Sequence, residues 1–416
     1  MICPVPRACS SEPPPCSTRI TQTGLACCSG RGKALTDAGE LADAHTALEA
    51  ARNGAAQLGN EAIDRSAELA ALHLRYTTDS TSAQGSIVAR VRELLPVLEQ
   101  AADHRGLARA WRLLAYVHMT ATRWGVAAEA AEQTIRHATQ AGDEVMARRS
   151  LGMLAQCMLY GPTPVSEAIA RCEDVLSQAA DDLRASAITE VALAHLEAMR
   201  GNFGTARVRY RRSRALLEEF GYRFFAALTS LDSSLVEMLA DDLQAAEREL
   251  RKDYDTLEHM GEHNYLSTTA GILAEVLYRQ GRYEESAELA GVCRQLASQD
   301  DVTSQFLWRC VQAKLLARER QHDQSDEIIG EAIDLIGDSD WIDWQGNGFM
   351  DLAEVCRLRG RTADALEALA QASMRFAAKG NVVSARRADE LAAGLRAAPA
   401  RTAQDPSQPA VPGCAG

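Results

Sequence analysis

Aromatic residues make up only 5% of this sequence of 416 residues. That is too few to fill large cores with rings, and it suits elements that pack through small side chains. Proline is nearly missing from the interior: between Pro96 and Pro399 only Pro162 and Pro164 occur, which disfavours strand-and-turn architectures. No run of 18 apolar residues exists, so no membrane-spanning helix is expected. The first thirty residues also lack the apolar core of a signal peptide. Leu25-Ala26-Cys27-Cys28 faintly suggests a lipoprotein cleavage site, but the preceding Thr18–Gly24 stretch is too polar to enter a membrane. Positive charge is scarce: the net charge is −13, against the basic surface that a nucleic-acid binder needs. Lysine occurs only at Lys33, Lys252, Lys314 and Lys379 while arginine is abundant, which reads as a high-GC bacterial genome. Of the 11 cysteines, five fall before residue 29 and none forms a Cys-x-x-Cys pair, excluding zinc and redox spacing. A reduced cytoplasmic setting follows.

What is present is helix. Tyr265–Ala297 reads as two amphipathic helices around a turn at Gly281-Arg282-Tyr283, with Leu273, Ala274 and Leu277 facing Ser286, Leu289, Ala290 and Cys293. Small residues at Ala274 and Ser286 allow close backbone approach. The same device, a turn residue and a small residue five positions later, recurs at Gly39/Ala44, Thr122/Ala127, Gly201/Ala206, Asp241/Ala246, Gly281/Ser286, Arg320/Ser325 and Gly360/Ala365. A longer-turn variant lies at Gly161-Pro162-Thr163-Pro164 with Ala168. A further repeat is expected from helices near Glu61–Tyr76 and Ile87–Ala102. The step is about 40 residues, a tetratricopeptide (TPR) unit lengthened by roughly a turn. The expected fold is therefore all-α, a TPR-like α-solenoid of about nine helix pairs over residues 33–396. It is flanked by a disordered Cys/Pro/Ser-rich segment, 1–32, and a Pro/Ala tail, 397–416.

Capping residues agree with the helices: Asp143, Asp301 and Asp338 are expected to precede them, and Gly142, Gly221, Gly261 and Gly337 to follow. Trp111-Arg-Leu-Leu-Ala115 is the best match to the repeat consensus. Gly346 and Gly348, after the Trp341/Trp344 pair, suggest a helix that starts late or bends, since glycine costs about 1 kcal/mol inside a helix.

No cluster carries chemistry. Ser29–Ala34 lacks the first glycine and the hydroxyl residue of a phosphate loop. His259 and His263 have a zinc-compatible spacing, but Gly261 lies between them and no third ligand is near. Arg207, Arg209, Arg211, Arg212 and Arg214 read as a solvated face rather than an anion site. No catalytic, cofactor or metal residues are therefore assigned. Partner-binding candidates are the positions that the repeat phase places on the concave groove: Arg109, Arg112, Tyr116, Arg149, His195, Glu275, Tyr278, Lys314, Glu354 and Arg357.

Several strings go beyond the repeat pattern, above all Tyr160-Gly-Pro-Thr-Pro-Val165 and Lys379-Gly-Asn-Val-Val-Ser-Ala385. With Gly106–Ala115, Ala246–Arg251 and Asp351–Val355 they resemble the C-terminal TPR region of actinobacterial proteins that join a class III adenylate/guanylate cyclase to an AAA-type, STAND-like ATPase. The resemblance implies a non-enzymatic regulatory module of a signalling ATPase/cyclase system, meeting a protein or peptide partner or an upstream catalytic domain. Neither the cyclase nor the ATPase is in this sequence, so none of their residues is carried over. The alternatives are the repeat region of a large ATP-dependent helix-turn-helix transcription activator, or a chain that is a nucleotide cyclase by family inheritance only, with no activity of its own. Leu41, Ala44, Leu48, Ala51, Ala55 and Leu58 form an apolar stripe on a second helix whose first helix is reduced to Leu35–Ala38. A bare apolar end, a truncated relative and self-association through that end are the expectation.

Overall fold

The computed structural model describes residues 41–78 and 83–397, with Arg31 alone before them. Among these residues eighteen α-helices follow one another, and no strand forms. The first four are α1 (Leu41–Leu58), α2 (Glu61–Thr78), α3 (Ala83–Gln100) and α4 (His104–Thr120). Next come α5 (Trp124–Gln140), α6 (Glu144–Tyr160), α7 (Val165–Gln178), α8 (Leu183–Met199), α9 (Phe203–Glu219), α10 (Arg223–Leu239) and α11 (Leu243–Met260). The last are α12 (His263–Arg279), α13 (Tyr283–Leu296), α14 (Val302–Arg318), α15 (His322–Gly337), α16 (Ile342–Leu358), α17 (Thr362–Lys379) and α18 (Val382–Ala397). The chain divides into two compact units, the second beginning at Leu114.

In the first unit α1 packs along α2, and α2 meets α3. Asn60 caps α2 by accepting from the Ile63 amide at 3.1 Å, and Arg90 on α3 bridges to Glu68 on α2 at 2.7 Å. The stripe on α1 is not the bare face expected. Ala44, Leu48, Ala51 and Ala55 are buried, with Ala44 and Leu48 packed against Ala70, Ala71 and Leu74 of α2. The following helix covers Ala44 and Leu48, and Leu58 is 41% exposed. Leu35–Ala38, the Ser29–Ala34 loop except Arg31, the cysteine-rich start and the tail beyond Ala397 lie outside the described residues.

In the second unit the even-numbered helices α6 to α16 touch in succession, while each odd-numbered helix packs against its chain neighbours. The layer whose members touch is the inner one, because a solenoid bends toward its closer-spaced helices. The turn residues Thr122, Gly201, Asp241, Gly281, Arg320 and Gly360 all take left-handed backbone, with φ between 53° and 86°. At Thr122, Asp241 and Arg320 this costs about 1–2 kcal/mol over glycine, a strain the repeat geometry imposes. The small residues five positions on, from Ala127 to Ala365, are all buried. Where that residue is serine, its hydroxyl donates to the facing helix: Ser286 to the Ala274 carbonyl at 2.7 Å and Ser325 to the Ala313 carbonyl at 2.8 Å.

Some local expectations fail for identifiable reasons. Asp143 and Asp301 do cap helices, accepting from Met146 and Ser304 amides at 3.0 Å. Asp338, however, is the C-cap of α15 and Gly337 its last helical residue. Helix α16 starts on schedule at Ile342, and Gly346 and Gly348 stay helical within it. A Cβ at Gly346 would lie 2.6 Å from the Phe376 ring, and one at Gly348 would lie 3.1 Å from Ile333. The glycines are there for close packing between helices.

The second unit also closes on itself. Helix α5 has no capping side chain of its own at Arg123. Asp340 supplies it from 216 positions away, accepting from the Trp124 and Gly125 amides at 2.7 Å each. The opposite charge serves the end of α6. Most other helices end next to a left-handed residue and the following amide bonds back, as that of Asn202 does to the Glu197 carbonyl. Pro162 and Pro164 have no amide hydrogen to give, so carbonyls at this end stand free. The Lys379 ammonium, 0% exposed, fills the gap, donating to the Met158, Gly161 and Thr163 carbonyls at 3.2, 2.6 and 2.8 Å. A cation at a helix C-terminus and a carboxylate at an N-terminus both match the helix dipole. Burial pushes the Lys379 pKa down to about 8, still above neutrality, so all three N–H donors are present for the three carbonyls.

Candidate functional site

The ten groove candidates separate into four sets. Arg109 and Arg112 lie in the first unit, where Arg109 donates to the Ser66 hydroxyl at 2.9 Å. Tyr116, half-buried, and Arg149, exposed, lie in the second. His195, 4% exposed, is no groove residue. Its Nδ1 pairs with Asp232 at 2.9 Å, and the Tyr160 hydroxyl donates to the same carboxylate at 2.7 Å. The Tyr160 ring packs on Trp124 and Trp341, both at 4.9 Å between centroids. Burial, then the Asp232 charge, holds the Tyr160 pKa well above the ordinary range. Here the inner face is filled from the other side of the closed unit.

Glu275, Tyr278, Lys314, Glu354 and Arg357 come together. They line one cavity of about 610 Å³ on α12, α14 and α16. Its apolar wall includes Ile272, Phe306, Trp344, Met350 and Phe376, and Phe306 and Trp344 pack ring against ring at 5.6 Å. Lys314 is only 1% exposed. It bridges Glu275 and Asp351 (2.5 Å to the latter) and lies 4.8 Å from the Tyr278 ring centre. Burial alone would lower the Lys314 pKa, but Asp351 and Glu275 together hold it well above its usual value. Burial pushes Glu275 upward against the pull of Lys314, and burial likewise raises Tyr278. Lys314 is thus a structural cation between two acids rather than an open contact.

The mouth holds residues the sequence reading missed. Arg279 and Arg318 occupy the same repeat position, 39 residues apart, as the last residues of α12 and α14, and Arg357 lies one position earlier in its own repeat, near the end of α16. The first two sit one position beyond the register that selected Tyr278 and Arg357. Arg279 and Arg387 share Asp241, at 2.8 and 2.7 Å. Arg357 pairs with Glu354 at 2.6 Å, and the Tyr278 hydroxyl reaches the same Glu354 at 3.3 Å. In all, five cationic and four acidic side chains line the cavity.

The arginine run on α9 is neither a free anion site nor simply solvated. Arg207 pairs with Glu237 on α10 at 2.5 Å, Arg209 with Glu190 on α8 at 2.6 Å, and Arg214 with Asp253 on α11 at 2.6 Å. The run stitches neighbouring helices. No group of residues suited to hold a metal ion forms among the described residues, and His259 bonds back to the Asp255 carbonyl at 2.6 Å. No helix among them is long and apolar enough to cross a membrane. Cys157, Cys172, Cys293, Cys310 and Cys356 are buried thiols; burial pushes Cys172 and Cys293 up to about 12, which leaves them unreactive.

No protein-family model and no curated protein matches the chain. Solved structures do. A Rap protein complexed with Competence and Sporulation Factor matches at 12% identity and a TM-score of 0.56, over 90% of this chain and 98% of that one. Aspartyl phosphate phosphatase F from Bacillus subtilis matches at 9% identity and a TM-score of 0.46, over 92% and 96%. A STAND protein with a tetratricopeptide repeat sensor from Pyrococcus horikoshii matches at 10% identity and a TM-score of 0.37, over 80% of this chain and 55% of that one. The class that fold and comparison define is the TPR-like helical-repeat solenoid.

Proposed function

We propose that this chain is a non-catalytic, cytoplasmic helical-repeat module that holds a peptide segment of a protein partner in the cavity of its second unit. One observation carries the reading: five groove positions selected by repeat phase converge on a cavity of about 610 Å³, within the size range of ligand sites. A Rap protein of similar fold was crystallised with Competence and Sporulation Factor, which supports a binding role for such a solenoid. The sequence resemblance suggests a signalling ATPase/cyclase system as the setting, and on that view the chain itself binds no ATP and makes no cyclic nucleotide. Selection of peptides from a random display library on the full chain tests the reading. Selected peptides should lose binding in Asn347→Trp, which adds bulk to the cavity wall. Selected peptides that all bind this variant unchanged would place the site elsewhere.

A further inference from the structure

The charges around the cavity are unevenly satisfied. Asp241, Glu275, Asp351 and Glu354 each already face a cation. Arg318 is the exception among the cations. It is exposed, and no carboxylate among the described residues lies within salt-bridge distance of it. It is nonetheless held in place: its guanidinium lies 3.8 Å from the Tyr283 ring centre. Next to it, Arg279 and Arg387 divide one carboxylate between them. The mouth therefore has a pre-positioned cation and surplus positive charge, and the same cavity is lined by the rings of Phe306, Trp344 and Phe376.

We propose that the cavity takes a carboxylate carried on an apolar body, with Arg318 receiving the carboxylate and the apolar wall of the cavity receiving the apolar part. The inference rests on the cavity being the binding site and specifies what it selects. A guanidinium presents paired donors that match a carboxylate, and one already stacked on a ring loses little freedom on binding. A cationic ligand would find every acid of the cavity engaged.

Three probes with one apolar body test it on the full chain by calorimetry and saturation-transfer NMR: 4-phenylbutyrate, 4-phenylbutanol and 4-phenylbutylamine. The anion should bind at least about tenfold more tightly than the alcohol, with the amine weakest. In Arg318→Gln the anion should fall to the affinity of the alcohol, whose own binding stays unchanged. Equal binding of all three, or an anion preference that survives Arg318→Gln, would overturn the proposal while leaving the cavity as a site. If none of the three binds, the cavity reading itself fails. The blocked peptide Ac-Ser-Glu-Phe-Ser-NH2 and its glutamine counterpart identify the source of the carboxylate. A preference for the glutamate peptide, lost in Arg318→Gln, assigns it to a protein side chain. Binding of 4-phenylbutyrate with indifference between the two peptides keeps the carboxylate chemistry and overturns the peptide partner.

Discussion

Around α6 and α8 the inner face of the second unit is filled by its own chain, whereas along α12, α14 and α16 it opens into a cavity. Both stretches use the same repeat, the same left-handed turns and the same buried small residues. They differ in what meets them across the unit. Tyr160, bonded with His195 to Asp232, faces Trp341, and the end of α6 is gripped by Lys379. The cavity wall instead keeps Lys314, Glu275 and Asp351 locked together, and the arginines of the repeat ends stand around its mouth. Repeat geometry thus provides an inner face, and a few large or charged side chains decide whether it is closed or open.

The largest effect expected is at Lys314. Lys314→Met leaves two part-buried carboxylates without their shared cation and should cost about 3–5 kcal/mol in denaturant unfolding. A loss below about 1 kcal/mol would mean that the triad is not what holds the cavity wall. Lys379→Met comes next, at about 3 kcal/mol, because it strands three carbonyls. Hydrogen exchange should quicken at the end of α6 and not along α12–α16, and equal changes in both stretches would erase the distinction between them.

The repeat was legible because it is periodic: a turn and a small residue every 39–40 positions impose the same backbone everywhere, and those turn residues in the described chain took left-handed φ. The cavity was half legible. Phase identified positions on the inner face, including Glu275, Tyr278, Lys314, Glu354 and Arg357, but phase cannot tell a face left open from one that is covered. His195 shares its register with the others and is buried because Trp341 and α18 come back to that place. The contacts that bring them, Asp340 to Trp124 and Lys379 to Gly161, join sites more than 200 residues apart. The two strings most specific to the resemblance, around Gly161 and Lys379, turn out to be two halves of one contact.

Smaller effects sharpen the contrast further. Gly346→Ala should lose about 1–3 kcal/mol by overpacking against Phe376, despite alanine's better helix propensity, and Phe376→Leu in the same chain should recover part of it. A stabilised Gly346→Ala would show that the inter-helix contact is looser than the geometry states. Arg318→Gln should change thermal stability by no more than about 0.5 kcal/mol, since Arg318 is exposed and engages no acid. A loss comparable to that of Lys314→Met would make it part of the scaffold rather than of the mouth.

An open solenoid contacts only its sequence neighbours, so it can fold from any point and fray from either end. The lysine grip removes that freedom from the second unit. Bringing Lys379 to Met158 closes a loop spanning 221 positions, and that loop cannot close until the helix pairs between have taken their curvature. The unit is thereby converted from a row of separately melting repeats into a ring that forms late and comes apart as a whole. Slow closure is the kinetic cost of such long-range contacts, and resistance to piecemeal unfolding from the C-terminal end is what it secures.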